Sequence, residues 1–201
     1  MGGKYGTSIA VNFSQINALD TVKLTNEVGY KADFFSAGKR VYYQDINVEV
    51  TKRITPDIKG TLTYIHLKYD RDQLIANEGV GVVESNIGIA DILFKLSRKH
   101  ALRTELQHLS TKKDMGNWAM ALLEYSYSPH WFITAWDEYN YGNSHIEKRI
   151  HYYTGGLTYV RGGNRVGMYY GKQRAGIVCI GGICRNVPAY NGFTLTVSST
   201  F

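Results

Sequence analysis

The chain has 201 residues, enough for one substantial domain, and its 16 Tyr, 21 Gly and only 3 Pro favour strands and tight turns over helices. Its formal net charge is +6, but the basic residues are scattered singly; the densest clusters, Arg98-Lys99-His100 and Lys112-Lys113, fall where turns or loops are expected, which argues against a nucleic-acid surface. No apolar run approaches the roughly 18 residues that a membrane-spanning helix needs, so a helical membrane protein is excluded.

Met1, Gly2 and Gly3 lead straight into a first strand, Lys4 to Ser14, in which Tyr5, Thr7, Ile9, Val11 and Phe13 alternate with Gly6, Ser8, Ala10, Asn12 and Ser14. After a long connection over roughly residues 15–40, Ile46, Val48 and Val50 oppose Asp45, Asn47, Glu49 and Thr51. Thr55-Pro56-Asp57 has turn chemistry, and the strand after it is expected to carry His66 and Lys68 on its inward face. A second long connection, 71–79, precedes a strand that ends at the tight turn Ser97-Arg98-Lys99-His100. Beyond that turn Leu102, Thr104 and Leu106 oppose Arg103, Glu105 and Gln107. Two charges and an amide at successive inward positions would be ruinous in a sandwich core but suit a wet interior. Ala119 to Tyr127 carries apolar residues on both faces, with Met120 and Leu122 inward, so this strand either borders a partly packed interior or runs in another register. Ser128-Pro129-His130 and Arg161-Gly162-Gly163-Asn164 are further tight turns, and 112–116, 142–148 and 174–191 are longer connections. The last strand places Phe193, Leu195, Val197 and the terminal Phe201 on one face and Thr194, Thr196, Ser198 and Thr200 on the other, with Ser199 departing from the pattern.

The expectation is therefore an all-β, single-domain chain over 1–201. It is an antiparallel transmembrane β-barrel of about ten strands in an up-and-down meander, either complete or the C-terminal portion of a larger barrel. Short and long connections alternate, as they do when periplasmic turns are tight and extracellular loops extended. A mean hydropathy of -0.26 is compatible with this, because half of every barrel strand faces water. Tyr42, Tyr43, Tyr125, Tyr127, Trp131, Tyr139, Tyr141, Tyr152, Tyr153, Tyr159, Tyr169 and Tyr170 lie toward segment ends, as interfacial girdles require. Asp45, Asn47, Glu49, His66, Lys68, Arg103, Glu105 and Gln107 are expected to face the lumen. No export signal precedes the first strand, so the chain is expected to be a mature portion or a fragment of a longer product.

Chemistry of the catalytic kind is not expected. None of the six His has metal-site spacing with Cys or carboxylate. Asp137, Glu138, His145 and His151 read as exposed polar rim residues rather than a catalytic set, and Gly162-Gly163 is a turn signal rather than a phosphate loop. No cofactor and no metal are implied. Cys179 and Cys184 flank Ile180-Gly181-Gly182-Ile183 in the longest C-terminal connection; an oxidising surface location and the Gly pair predict a disulfide between them.

Tyr43 to Glu49, His100 to His108, Gly116-Asn117-Trp118, Pro129 to Phe132, Tyr139 to Gly142, Arg149 to Tyr153 and Gly176 to Pro188, followed by the terminal strand, together resemble the C-terminal part of an uncharacterised outer-membrane β-barrel family of Bacteroidota, assigned as a domain of unknown function. Members of that family extend further at the N-terminus. The resemblance implies location and architecture and brings no catalytic residues. The terminal strand, through Phe193, Leu195, Val197 and Phe201, also resembles the signal read by the barrel-assembly machinery of Gram-negative bacteria. The leading expectation is an outer-membrane porin-like channel or small-solute transport module, with outer-membrane lipid as its surroundings. A structural or surface-binding barrel without a pore, and a soluble β-barrel that binds a ligand, are the alternatives.

Overall fold

The computed structural model describes residues 5–19, 23–25, 29–31, 37–75, 79–180 and 183–200. Strands dominate: β1 (Thr7–Leu19), β2 (Lys23–Thr25), β3 (Gly29–Lys31), β4 (Ala37–Arg53), β5 (Ile58–Asp70), β6 (Val82–Lys95), β7 (His100–Thr111), β8 (Trp118–Tyr127), β9 (Trp131–Tyr139), β10 (His151–Arg161), β11 (Asn164–Gln173), β12 (Gly176–Ile180), β13 (Ile183–Val187) and β14 (Tyr190–Ser199). The one helix among the described residues, α1 (Arg71–Ile75), and a single 3-10 turn at Ile146–Lys148 lie in connections.

Ten strands form one antiparallel sheet in the order β1-β4-β5-β6-β7-β8-β9-β10-β11-β14, and the short pairs β2-β3 and β12-β13 stand apart as hairpins within the longer connections. Each strand of the large sheet pairs with its sequence neighbours once those hairpins are set aside. β1 and β14 are the two edges, and no ladder joins them among the described residues. The architecture is thus all-β and up-and-down, as the alternation implies, in a sheet that is not closed.

In such a meander successive connections fall at opposite ends. The β4–β5, β6–β7, β8–β9 and β10–β11 turns therefore share one end, and the longer connections share the other. At the turn end the backbone is stitched from hairpin to hairpin. Lys95 N–H donates to Asp57 C=O at 2.7 Å, Ser128 N–H to Lys99 C=O at 2.7 Å, Val160 N–H to His130 C=O at 2.8 Å and Thr200 N–H to Gly163 C=O at 3.0 Å. Thr55 and Ser97 support their turns by accepting from the amides of Asp57 and Lys99 through their hydroxyls. Gly162 supplies the positive φ, 58°, that the two-residue β10–β11 turn demands. At the loop end Asp72 closes the 71–81 connection by accepting from the amides of Gly81 and Val80, both at 3.1 Å. Those amides, Gly81 first, hold its carboxyl below the ordinary carboxylate range.

Candidate functional site

Because antiparallel partners in register point to the same side, the ladders sort the side chains into two faces. One face is apolar across all ten strands. Along one row Ile9, Val50, Leu62, Ala90, Leu106 and Ala121 follow each other from β1 to β8. Along another Phe94, Leu102, Tyr125, Ile133, Leu157, Met168 and Leu195 run from β6 to β14. This face is open: Phe193 is 78% exposed, Leu195 68% and Val197 69%.

The opposite face is polar, and from β6 to β11 it holds the buried residues, whereas on β1 it is exposed. Asp45, Asn47, Glu49 and Thr51 of β4 lie there opposite Leu67, Ile65, Thr63 and Thr61 of β5. Arg103, Glu124, Thr134, Gly156, Tyr169 and Thr194 form one row across β7 to β14. Thr134, Thr154, Thr158, Glu124 and Arg165 are all buried. No second sheet or helical layer packs over this face among the described residues.

Two features occupy the polar face. The first is a charge ladder. Arg103 donates to Asp91 of the neighbouring strand at 2.6 Å and to Glu105, and Glu105 also accepts from the Gln107 amide. Glu124 stands opposite Arg103 in register. The second is an aromatic core. Leu122, Trp136 and Tyr169 cluster in burial, with the two rings edge-on at 6.3 Å between centroids. The Tyr169 hydroxyl lies 2.6 Å from that of Thr158. The Tyr169 ring covers Gly156, its cross-strand partner, so closely that a Cβ there would fall 2.1 Å from the ring. Glycine at 156 is thus the seat of the ring.

Above this core, toward the loops, the same face holds a cavity of about 250 Å³ lined by Ile87, Gln107, Trp118, Met120, Glu138 and Arg174. Arg174 donates to Glu138 at 3.0 Å and lies 4.3 Å over the Trp118 ring, which stacks in turn on Tyr152. The cavity walls are therefore braced by a cation–π contact and an ion pair rather than by backbone alone.

Of the residues expected on a common polar face, Asp45, Asn47, Glu49, Arg103, Glu105 and Gln107 share one. His66 and Lys68 do not: their partners Ile46 and Gln44 place them on the apolar side, at its loop end. There His66 Nδ1 meets Asn86 Oδ1 at 2.9 Å and Lys68 pairs with Glu84 at 2.8 Å. Leu67 and Ile65 take the polar-face positions instead. Met120 and Leu122 do face the polar side, and Leu122 is core.

The rim residues divide. His151 Nδ1 lies 2.6 Å from Asp137 Oδ2 on the apolar side, Glu138 turns to the other side and pairs with Arg174, and His145 neighbours Glu147 at 3.4 Å. No group of three or more His, Cys, Asp or Glu suited to a metal occurs among the described residues. Tyr169 and Tyr152, expected in a girdle, lie on the polar side. Cys179 and Cys184 are cross-strand partners in the β12-β13 hairpin; their side chains fall outside the described ones, and no disulfide is seen among the described residues. Phe201 also lies outside the described residues.

The family match covers this whole arrangement, residues 1–201. The chain belongs to the DUF6029 family, a family of unknown function. Neither a curated protein nor a solved structure matches it. In this DUF6029 chain the two faces are the feature that bears on function. The aromatic core was the feature sequence reasoning missed. Its signal was the buried-face parity of Leu122, Trp136 and Tyr169, visible once the ladders are fixed.

Proposed function

We propose that the chain is a transmembrane β-barrel of a bacterial outer membrane whose polar side lines a porin-like passage for small solutes. The observation that carries this reading is the inversion of polarity: large aliphatic and aromatic side chains are exposed on every strand of the sheet, while Thr, Glu, Asp and Arg are sheltered. In water, each Å² of that apolar face costs about 25 cal/mol relative to burial, so a surface of this extent needs an apolar medium. In hydrocarbon the same face is at rest, and the sheltered polar side keeps its water.

A sheet in lipid cannot keep open edges, because unpaired N–H and C=O groups there cost several kcal/mol each. The reading therefore has β1 and β14 paired in the membrane, with each other or through further strands of a larger barrel. Ten strands is an even number, so β1 and β14 run antiparallel, as closure requires. The placement of the tight turns at one end supports a periplasmic side there and an outer surface at the loops. The resemblance to outer-membrane barrels of Bacteroidota supports the same location, and the β14 residues Phe193, Leu195 and Val197 suit recognition by barrel-assembly machinery.

A second reading, a barrel without a conducting pore, is favoured by the buried Leu122–Trp136–Tyr169 cluster on the side a solute would use. The membrane assignment is tested by extraction: the protein is expected to stay with membranes in alkali or urea and to migrate differently on gels with and without boiling. Recovery as a folded, detergent-free soluble protein refutes it. Single-channel recording on the reconstituted protein then decides between passage and plug.

A further inference from the structure

On the apolar face near the tight turns, His100, Tyr125, Tyr127, Trp131, Ile133 and Leu157 line an open groove of about 400 Å³. Its floor is aliphatic, with Ile133 and Leu157, and its wall at the turn end carries polar tips. The Tyr125 hydroxyl hydrogen-bonds His100 Nδ1, the Tyr127 ring stacks on that imidazole at 4.9 Å, and Trp131 packs on Tyr159 at 4.7 Å. A surface that passes from hydrocarbon-like to amphipathic over one turn of chain matches the chain-to-headgroup boundary of a bilayer.

The charge beside the groove is one-sided. Arg98 and Lys99 stand in the turn that ends at His100, and Arg161 ends β10; all three are exposed. Asp57 is the only carboxylate in the four tight turns. The turns carrying these cations are bonded into one edge, through Ser128 N–H to Lys99 C=O and Val160 N–H to His130 C=O, so the cations and the groove form one surface. The loop end of the same face differs, because Lys68 there is held by a carboxylate, pairing with Glu84 at 2.8 Å.

We infer that this groove binds an anionic phospholipid of the leaflet at the turn end, its acyl chain against Ile133, Leu157 and Trp131 and its phosphate among Arg98, Lys99 and Arg161. The inference rests on the membrane reading above. Charge complementarity selects the headgroup, since each basic residue near a membrane surface favours an anionic lipid about fivefold. The aromatic wall selects depth rather than headgroup.

The test uses the full chain reconstituted in phosphatidylcholine vesicles carrying a minor fraction of phosphatidylglycerol, with bromine on the acyl chains of one lipid or the other. Trp131 is on the apolar face, whereas Trp118 and Trp136 are on the polar one, so the quenching lost in Trp131→Phe reports the groove. Brominated phosphatidylglycerol is expected to quench that component at least fivefold more efficiently per molecule than brominated phosphatidylcholine. In R98Q/K99Q/R161Q the preference is expected to collapse toward one, and in the loop-end control K112Q/K113Q to persist. Gel mobility without boiling verifies that each variant is folded. Equal quenching by the two lipids in an inserted, folded protein overturns the inference and leaves the membrane reading standing. An equal loss of preference in the loop-end control overturns it too, by showing general surface charge. Failure of the unmodified chain to insert overturns both.

Discussion

Tyr169 offers the sharpest test of how the polar face is held together. Replacement by Ala removes a buried ring that touches Trp136 and covers Gly156, and large-to-small changes of this kind cost about 3–5 kcal/mol. Tyr169→Phe keeps the ring but removes its hydroxyl and with it the hydrogen bond with the buried Thr158 hydroxyl, which should cost about 1–3 kcal/mol. Gly156→Ala introduces a Cβ 2.1 Å from the Tyr169 ring and 2.7 Å from the Met168 carbonyl oxygen, an overpacking worth about 1–3 kcal/mol. The ring part of that clash vanishes when Tyr169 is already Ala, whereas the carbonyl part remains. Gly156→Ala is therefore expected to be cheaper in the Tyr169→Ala background by about 1 kcal/mol or more. Urea unfolding of protein refolded into detergent micelles, followed by tryptophan fluorescence, measures all four corners of the cycle. Strict additivity, or Tyr169→Phe as costly as Tyr169→Ala, refutes the account of Gly156 as the seat of the ring.

On β14, Val197→Asp should reduce membrane assembly more than Thr196→Asp, since Val197 stands on the apolar face while the Thr196 hydroxyl bonds the Gly167 carbonyl on the polar one; a midplane charge costs about 2–4 kcal/mol for Lys or Arg and less for Asp, and equal tolerance would refute this register for the strand. Cys179 and Cys184, opposite each other in the β12-β13 ladder, are expected to resist alkylation in the non-reduced protein, and two freely alkylated thiols by mass spectrometry would refute a disulfide there. Asp72, held below the ordinary carboxylate range mainly by the Gly81 amide, stabilises the 71–81 connection above the unfolded-state value and loses that contribution as pH falls through its own lower one. The Val80 and Gly81 amide shifts should accordingly titrate with a midpoint below 3.8 and be flat in Asp72→Asn, and a midpoint above 3.8 would contradict the hydrogen bonding seen.

Much of this architecture is legible in the chain itself. The four tight turns announce themselves through Pro56, Ser97, Pro129 and Gly162-Gly163, and β1, β4, β7 and β14 alternate cleanly enough to fix their faces. β5 does not. Leu62 and Tyr64 make one parity apolar and Ile65 and Leu67 the other, so local sequence cannot say which side His66 takes, and only the ladder to β4 settles it. β2, β3, β12 and β13 escape a periodicity reading because three to five residues do not complete enough alternations. The core fails for a different reason: Leu122, Trp136 and Tyr169 come from three strands, and their meeting depends on register across β8 to β11.

The hairpin-to-hairpin stitching of the turn end bears on how such a chain grows. Every ladder of the large sheet joins strands that follow one another once the β2-β3 and β12-β13 hairpins are set aside, so no strand must wait for a partner from the far end of the chain. A chain built this way can be assembled by accretion, each hairpin docking on the one before without waiting for a distant partner. The same property makes the hairpin a unit of inheritance. Adding or removing one pair of strands preserves the alternation of faces and every internal register, and it asks for new neighbours at a single seam.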